Sequence, residues 1–103
     1  VLLYYDANGA WPIYIAKLKN GIDPNVGKTS LRQVEGVLDL ANFYLSPPGA
    51  FSVFKDGKVV NYATRYNLGT QLGAAFNYGV LGKYLIISTN YNGLKGALPL
   101  LGL

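Results

Sequence analysis

The chain has 103 residues and a formal net charge of +4, and only 14% of its residues are charged, well below the usual ~25%. It contains no histidine, cysteine or methionine and only five carboxylates. This composition excludes disulfide bonds, thiolate metal sites and every mechanism that needs a catalytic histidine or cysteine. We therefore predict a protein without enzymatic activity, cofactor or metal ion, whose surface is covered by uncharged polar groups or by a partner.

The nine basic residues are scattered and form no stripe that could follow a nucleic-acid backbone. No apolar segment approaches the ~20 residues that a helix needs to cross a bilayer. We therefore expect neither a nucleic-acid partner nor a membrane span. We expect residues 1–103 to form one domain, either a whole protein or a part excised from a longer chain.

The N-terminal part predicts two β-strands. Val1–Tyr5 is β-prone, and the turn residues Asn8 and Gly9 separate it from a second strand at Ala10–Lys19, so the two can form a hairpin. Pro12 has no N–H to donate to a sheet and is expected near the start of its strand or on an edge.

A long helix is predicted next, from about Thr29 to Leu45. Its apolar residues follow the i, i+3, i+4, i+7 spacing of a helix face that packs on a sheet. Ser30 and Gln33 have the spacing of a capping box, whereas Asp23 with the proline after it offers an alternative, earlier start.

Two hairpins follow in the prediction. In the first, Phe51–Lys55 and Lys58–Tyr66 flank Asp56 and Gly57, which suit a type I′ turn. The second joins Ala74–Leu81 to Lys83–Thr89, and this last strand is apolar on both faces, which predicts a central position in the sheet.

A short helix is predicted from Tyr91 to Leu98, with Asn90 as its cap. Because hairpins dominate the order of elements, the sheet is expected to be mainly antiparallel. We predict an α+β fold in which five to six strands carry one long and one short helix on one face.

One segment comes close to a phosphate-binding loop. Such a loop needs Gly-x4-Gly-Lys-[Ser/Thr], because its length sets how the backbone amides converge on the phosphates. Here five residues separate Gly21 from Gly27, which precedes Lys28 and Thr29, and Asp23 places a negative charge inside the loop. We interpret the segment as an ordinary connection, so a small nucleotide-binding or enzymatic domain is the least favoured alternative.

The carboxylates do not form a recognisable catalytic pair. Glu35 and Asp39 are four residues apart on the predicted helix, on a face offset from its apolar stripe, and are expected to be exposed. A glycosidase needs two carboxyl groups that flank a cleft. A serine and lysine pair drawn from Ser52, Ser88 and Lys83 has no supporting spacing, and we predict no catalytic residues.

The aromatic residues offer a possible binding surface. Tyr62 and Tyr66 alternate on one strand, and with a cross-strand Tyr78 they could form a flat platform for sugar rings or a protein partner. Trp11 is the fourth candidate for this surface. The alternative, which we favour, is that tyrosine is simply a good strand former whose ring packs while its hydroxyl stays in contact with water.

Both ends of the chain are apolar. Val1–Tyr5 and Leu98–Leu103 can pack in the core, which we favour, or pair with a neighbouring copy or domain by strand addition.

The segment Tyr78–Thr89, YGVLGKYLIIST, followed by Leu94, Ala97 and Leu98, resembles a pattern in bacterial cell-envelope proteins of unknown function. The resemblance covers roughly Pro12 to Leu98. It implies an extracytoplasmic, non-catalytic α+β domain and provides no functional residues.

We therefore expect a non-enzymatic extracellular or cell-envelope module that acts through contacts with another protein or with its own copies. The alternative is a module that binds carbohydrate or peptidoglycan through exposed tyrosines.

Overall fold

The computed structural model describes residues 1–103 and contains one sheet of six strands in which all neighbours are antiparallel. The elements are β1 (Leu2–Asp6), β2 (Gly9–Lys17), α1 (Pro24–Val34), β3 (Lys55–Val59), β4 (Tyr62–Leu68), β5 (Ala75–Leu81), β6 (Tyr84–Ser88) and α2 (Tyr91–Ala97), with 3-10 turns at Glu35–Val37, Leu40–Phe43 and Pro99–Leu101. The order across the sheet is β1-β2-β6-β5-β4-β3, so β1 and β3 are the two edges. The α+β fold with an antiparallel sheet and two helices is therefore confirmed.

The two helices lie on opposite faces of the sheet, whereas the sequence predicted both on one face. Successive strand residues point to opposite faces, and β5 and β6 are apolar on both, so each face needs a cover. We name the faces after the helices that cover them. The α1 face packs Leu31 against Phe76, Tyr78 and Ile87. The α2 face packs Leu94 and Leu98 against Ile13, Leu81 and Ile86.

Helix α1 begins and ends earlier than the predicted Thr29 to Leu45. It starts at the alternative site, because the Asp23 side chain accepts a hydrogen bond of 2.9 Å from the Asn25 N–H and Pro24 occupies the first turn. After Val34 the chain forms two 3-10 turns, separated by extended backbone at Leu38. The second turn brings Phe43 to 5.3 Å from Phe76, measured between ring centroids. The aromatic packing therefore replaces the continuation of the helix.

The first predicted hairpin exists with its turn displaced from Asp56 and Gly57. Val59 pairs with Tyr62, so the turn is at residues 60–61, and Gly57 lies inside β3. A Cβ atom at Gly57 would be 2.6 Å from Cδ1 of Tyr66, so the glycine serves close packing and not chain reversal. This register also buries Val59 completely in the core.

The second hairpin and the short helix agree with the prediction. Leu81 pairs with Tyr84 around Gly82, which has a positive φ of 59°. Strand β6 lies inside the sheet, between β2 and β5. The Asn90 side chain caps α2 by accepting a hydrogen bond of 2.8 Å from the Gly93 N–H.

The two apolar ends of the chain have different environments. The C-terminal segment returns to the core, where Leu98 is buried and Leu101 and Leu103 pack against the α2-face cluster. In β1 only alternate residues do so: Leu2 and Tyr4 pack against that cluster. Val1, Leu3 and Tyr5, which alternate with them, are exposed.

Candidate functional site

The structure does not bring the four predicted aromatic residues together. Trp11 is only 4% exposed, and its Nε1–H donates a hydrogen bond of 2.9 Å to Asp6 Oδ1. Tyr78 is also 4% exposed and pairs across the strands with Arg65 on the α1 face. Tyr62 and Tyr66 point to the α2 face, because each is an odd number of positions away from Arg65. The platform of Tyr62, Tyr66 and Tyr78 is therefore not formed.

Tyr66 instead lines a small cleft with an aromatic residue that the sequence did not group with it. The cleft has a volume of about 190 Å³ and is lined by Tyr66, Tyr91 and Asn77, among others. Tyr91 is exposed, and its hydroxyl donates to the Lys58 carbonyl at 3.5 Å. Tyr62, by contrast, packs against the α2-face core.

The edge strand β1 and the residue before it carry exposed apolar side chains. Val1, Leu3 and Tyr5 are 80%, 47% and 69% exposed and form a row along one side of the chain, which we call the β1 row. β1 pairs with β2 on one side, and no strand pairs with its other side. The strand itself, LLYYD, contains no lysine, arginine, proline or glycine.

The opposite edge has a different composition. β3 reads KDGKV, and its lysines and aspartate are exposed. Charged side chains on an edge strand are a common protection against pairing with another chain. The two edges of the sheet are therefore unequal, because β3 carries this protection and β1 does not.

A charged cluster joins the end of α1 to the sheet. Arg65 on β4 donates from Nε and Nη2 to the two carboxylate oxygens of Glu35, at 2.9 and 2.8 Å, and from Nη1 to Asp56 Oδ1 at 3.0 Å. The Tyr78 hydroxyl donates to Glu35 Oε2. The side chain of Glu35 is only 11% exposed, so the expectation that it is solvent-exposed is wrong, whereas Asp39 is exposed as expected.

These contacts shift the ionisation of the cluster. The hydrogen bonds from Arg65 lower the pKa of Glu35, although its burial acts in the opposite direction. Burial raises the pKa of Tyr78, and the Glu35 carboxylate raises it further. At neutral pH the cluster therefore contains an ionised glutamate, an ionised arginine and a neutral tyrosine. Such a cluster fixes the end of α1 against β4 and β5.

Two clefts flank the pair of Glu35 and Arg65. The first, which we call the α1 cleft, lies between α1 and strands β3 to β5 and has a volume of about 180 Å³. Its charged lining residues are Lys28, Arg32, Asp56 and Arg65. The second, of about 620 Å³, lies between the 3-10 turns and residues 49–54.

The segment that approaches a phosphate-binding loop is mostly helical. Because α1 begins at Pro24, Gly27 and Lys28 lie within the helix, where the backbone amides do not converge on one point. No three histidine, cysteine, aspartate or glutamate residues lie close enough together to hold a metal ion. Neither helix has the length and apolar composition needed to cross a membrane.

Comparison with protein-family models, with curated proteins and with solved structures gives no match. The resemblance of Tyr78–Thr89 to cell-envelope domains therefore stays a prediction.

Proposed function

We propose that the protein is a non-enzymatic module that associates with a second copy of itself by pairing their β1 strands. The observation that carries this proposal is the unprotected, apolar edge of β1, opposite a charged edge at β3. An extracytoplasmic location is part of the proposal and is supported by the low content of charged residues and the resemblance to cell-envelope domains.

The chemistry of an edge strand favours this kind of contact. The outer side of β1 presents backbone N–H and C=O groups that have no partner strand, and a second strand would satisfy them. Pairing would also place the apolar β1 rows of the two copies side by side on one face of the joined sheet. Part of their apolar surface would then leave water, which is favourable at ~25 cal/mol per Å².

A second copy of the chain, paired antiparallel, suits this edge better than a parallel strand or a strand from an unrelated protein. Two identical strands can pair antiparallel around a two-fold axis, in which the same surface serves both partners. The only charge in β1 is Asp6 at its end. An antiparallel pair places the two Asp6 side chains at opposite ends, so they do not repel each other at close range.

The self-association is tested by measuring molar mass by light scattering over a range of concentrations. The wild-type mass is expected to rise from 11.1 kDa towards twice that value. Leu3→Lys places a charge in the β1 row and is expected to remain monomeric. Leu72→Lys makes the same change at an exposed leucine outside the sheet and is expected to associate like the wild type. A wild type that stays monomeric at millimolar concentration contradicts the proposal.

Carbohydrate binding is a second candidate, supported by the cleft of Tyr66 and Tyr91. Tyrosine rings provide flat apolar faces for sugar rings, and their hydroxyls can form hydrogen bonds. Calorimetric titration with soluble glycan fragments, including peptidoglycan fragments, tests it. Tyr91→Ala is expected to abolish the heat of binding, whereas Tyr5→Ala, at an exposed tyrosine outside this cleft, is not. The absence of heat for the wild type with every glycan removes this candidate.

A further inference from the structure

We infer that the α1 cleft binds a compact organic anion, a carboxylate or a phosphate, through Lys28, Arg32 and Arg65. This site is separate from the β1 edge and from the cleft of Tyr66 and Tyr91, and the inference does not depend on the proposed function.

The lining of the α1 cleft carries more positive than negative charge. Three cationic side chains line it, against the single carboxylate of Asp56. That carboxylate already accepts a hydrogen bond from Arg65, as does Glu35 behind it. Lys28 and Arg32 form no ion pair. Glu35, behind the cleft, also attracts Arg32 electrostatically. Three cations therefore face two carboxylates, which leaves a surplus of one positive charge at the site.

Two of the three cations are neighbours on α1. Lys28 and Arg32 are four residues apart in α1, so they lie on the same side of the helix, and like charges at this spacing repel each other. Both line the cleft above the sheet. An anion between them would replace this repulsion by two favourable contacts.

The third cation, Arg65, is held in one orientation by its carboxylate partners. A guanidinium group has five N–H donors in one plane, and the two carboxylates use three of those of Arg65. Glu35 holds the plane with two parallel hydrogen bonds, so the remaining donors are fixed in direction. A fixed guanidinium fork favours carboxylate and phosphate groups.

The α1 cleft is small, and part of its lining is apolar. Ala63, Gly79 and Val80 contribute small or apolar surface to its lining. The volume of about 180 Å³ corresponds to roughly six water molecules. The ligand is therefore expected to combine one anionic group with a small apolar body.

Benzoate and phenyl phosphate are suitable probes, with benzyl alcohol as a neutral probe of similar shape. Binding is followed by the amide chemical shifts of Ala63 and Gly79 in ¹⁵N-labelled protein. The wild type and the Leu3→Lys variant, which is expected to remain monomeric, are both measured, so that binding is tested independently of self-association. We expect saturable shifts with at least one of the two anions and none with benzyl alcohol. A preference between benzoate and phenyl phosphate identifies the anionic group.

The double variant Lys28→Gln with Arg32→Gln is expected to weaken binding at least tenfold, and binding should weaken as salt is added. The matched control is Lys83→Gln with Lys95→Gln, which removes the same charge from exposed positions outside the cleft and should bind like the wild type. Equal weakening in both double variants, equal binding of benzyl alcohol, or no shifts with either anion overturns the inference. Arg65 is left unchanged because its substitution would also break the contacts with Glu35.

Discussion

Glu35 and Arg65 show how a single contact can differ from what residue spacing indicates. Residue spacing predicts Glu35 on an exposed helix face, and Arg65 is one of the scattered basic residues in the sequence. The break of α1 after Val34 turns Glu35 towards β4, where Arg65 and Tyr78 lie side by side on the α1 face. This contact connects residues 30 positions apart, which no local pattern can reveal.

Glu35→Gln is expected to lower the free energy of unfolding by about 2 kcal/mol, because hydrogen bonds to charged groups contribute ~1.5–3 kcal/mol. Tyr78→Phe removes one hydrogen bond to the same charged carboxylate and should cost about 1.5 kcal/mol. Denaturation in urea at neutral pH measures both values. Asp39→Asn, at an exposed carboxylate without an ion pair, is the control and should change stability little. A Glu35→Gln protein as stable as this control would show that the cluster does not stabilise the fold.

The same contact predicts a pH dependence. The folded-state pKa of Glu35 is lowered, so the unfolded chain binds more protons below the ordinary glutamate value of ~4.3. The stabilisation is therefore complete above that pH and is lost as the pH falls through the folded-state pKa. We expect the Glu35→Gln variant to lose stability less steeply than the wild type below about pH 5. Asp6, whose pKa is lowered by the Trp11 hydrogen bond, contributes to the slope that remains.

Val60 is a second residue whose environment the sequence did not indicate. It has a positive φ of 54° in the turn between β3 and β4, which is unusual for a β-branched residue. Val60→Gly is expected to raise the free energy of unfolding by about 1 kcal/mol. Relief of such strain is worth ~1–3 kcal/mol, and the larger conformational entropy of glycine in the unfolded chain offsets part of it. Thermal denaturation checks this. A lower melting temperature than the wild type would mean that the turn is not strained.

At the scale of elements, the sheet was predicted more completely than α1. Alternation, turn residues and the doubly apolar β6 are local signals, and they indicated the second hairpin and the central place of β6. The end of α1 depends on Phe43 packing against Phe76, which is a long-range contact. The turn at residues 60–61 depends likewise on Tyr66 lying over Gly57. The predicted tyrosine platform failed for the same reason, since pairing partners decide which face a side chain occupies.

The two helices differ in how firmly they are attached. α1 has no buried residue, whereas Gly93, Leu94 and Ala97 of α2 are buried. Backbone amides of an element with few buried contacts open more readily. In native-state hydrogen exchange we therefore expect the amides of α1 to exchange faster than those of α2 and β5. Equal protection of the two helices would contradict this difference, and Asp23→Ala, which removes the cap of α1, should accelerate its exchange further.

At the scale of the whole molecule, the sheet is open at two unequal edges. The charged strand β3 lies at one edge and the apolar strand β1 at the other, with four strands between them. This asymmetry predicts that association stops at two copies, because pairing of β1 leaves only protected β3 edges outside. The composition indicated contact through surfaces but could not indicate which edge, since that depends on the order of strands.

Spin-label distances in a concentrated sample test this arrangement most directly. The chain has no cysteine, so Ala7→Cys next to β1 and Lys58→Cys in β3 each provide one label. Antiparallel pairing of β1 in two copies predicts about 20 Å between the two Ala7 positions. Each Ala7 lies three residues, at ~3.4 Å per residue, from the centre of its β1 strand, and the two lie on opposite sides of that centre. It predicts roughly 50 Å between the Lys58 positions, because two six-stranded sheets with a strand spacing of ~4.8 Å then lie edge to edge. A short distance at Lys58 with a long one at Ala7, or no dipolar coupling at either label, would contradict pairing through β1.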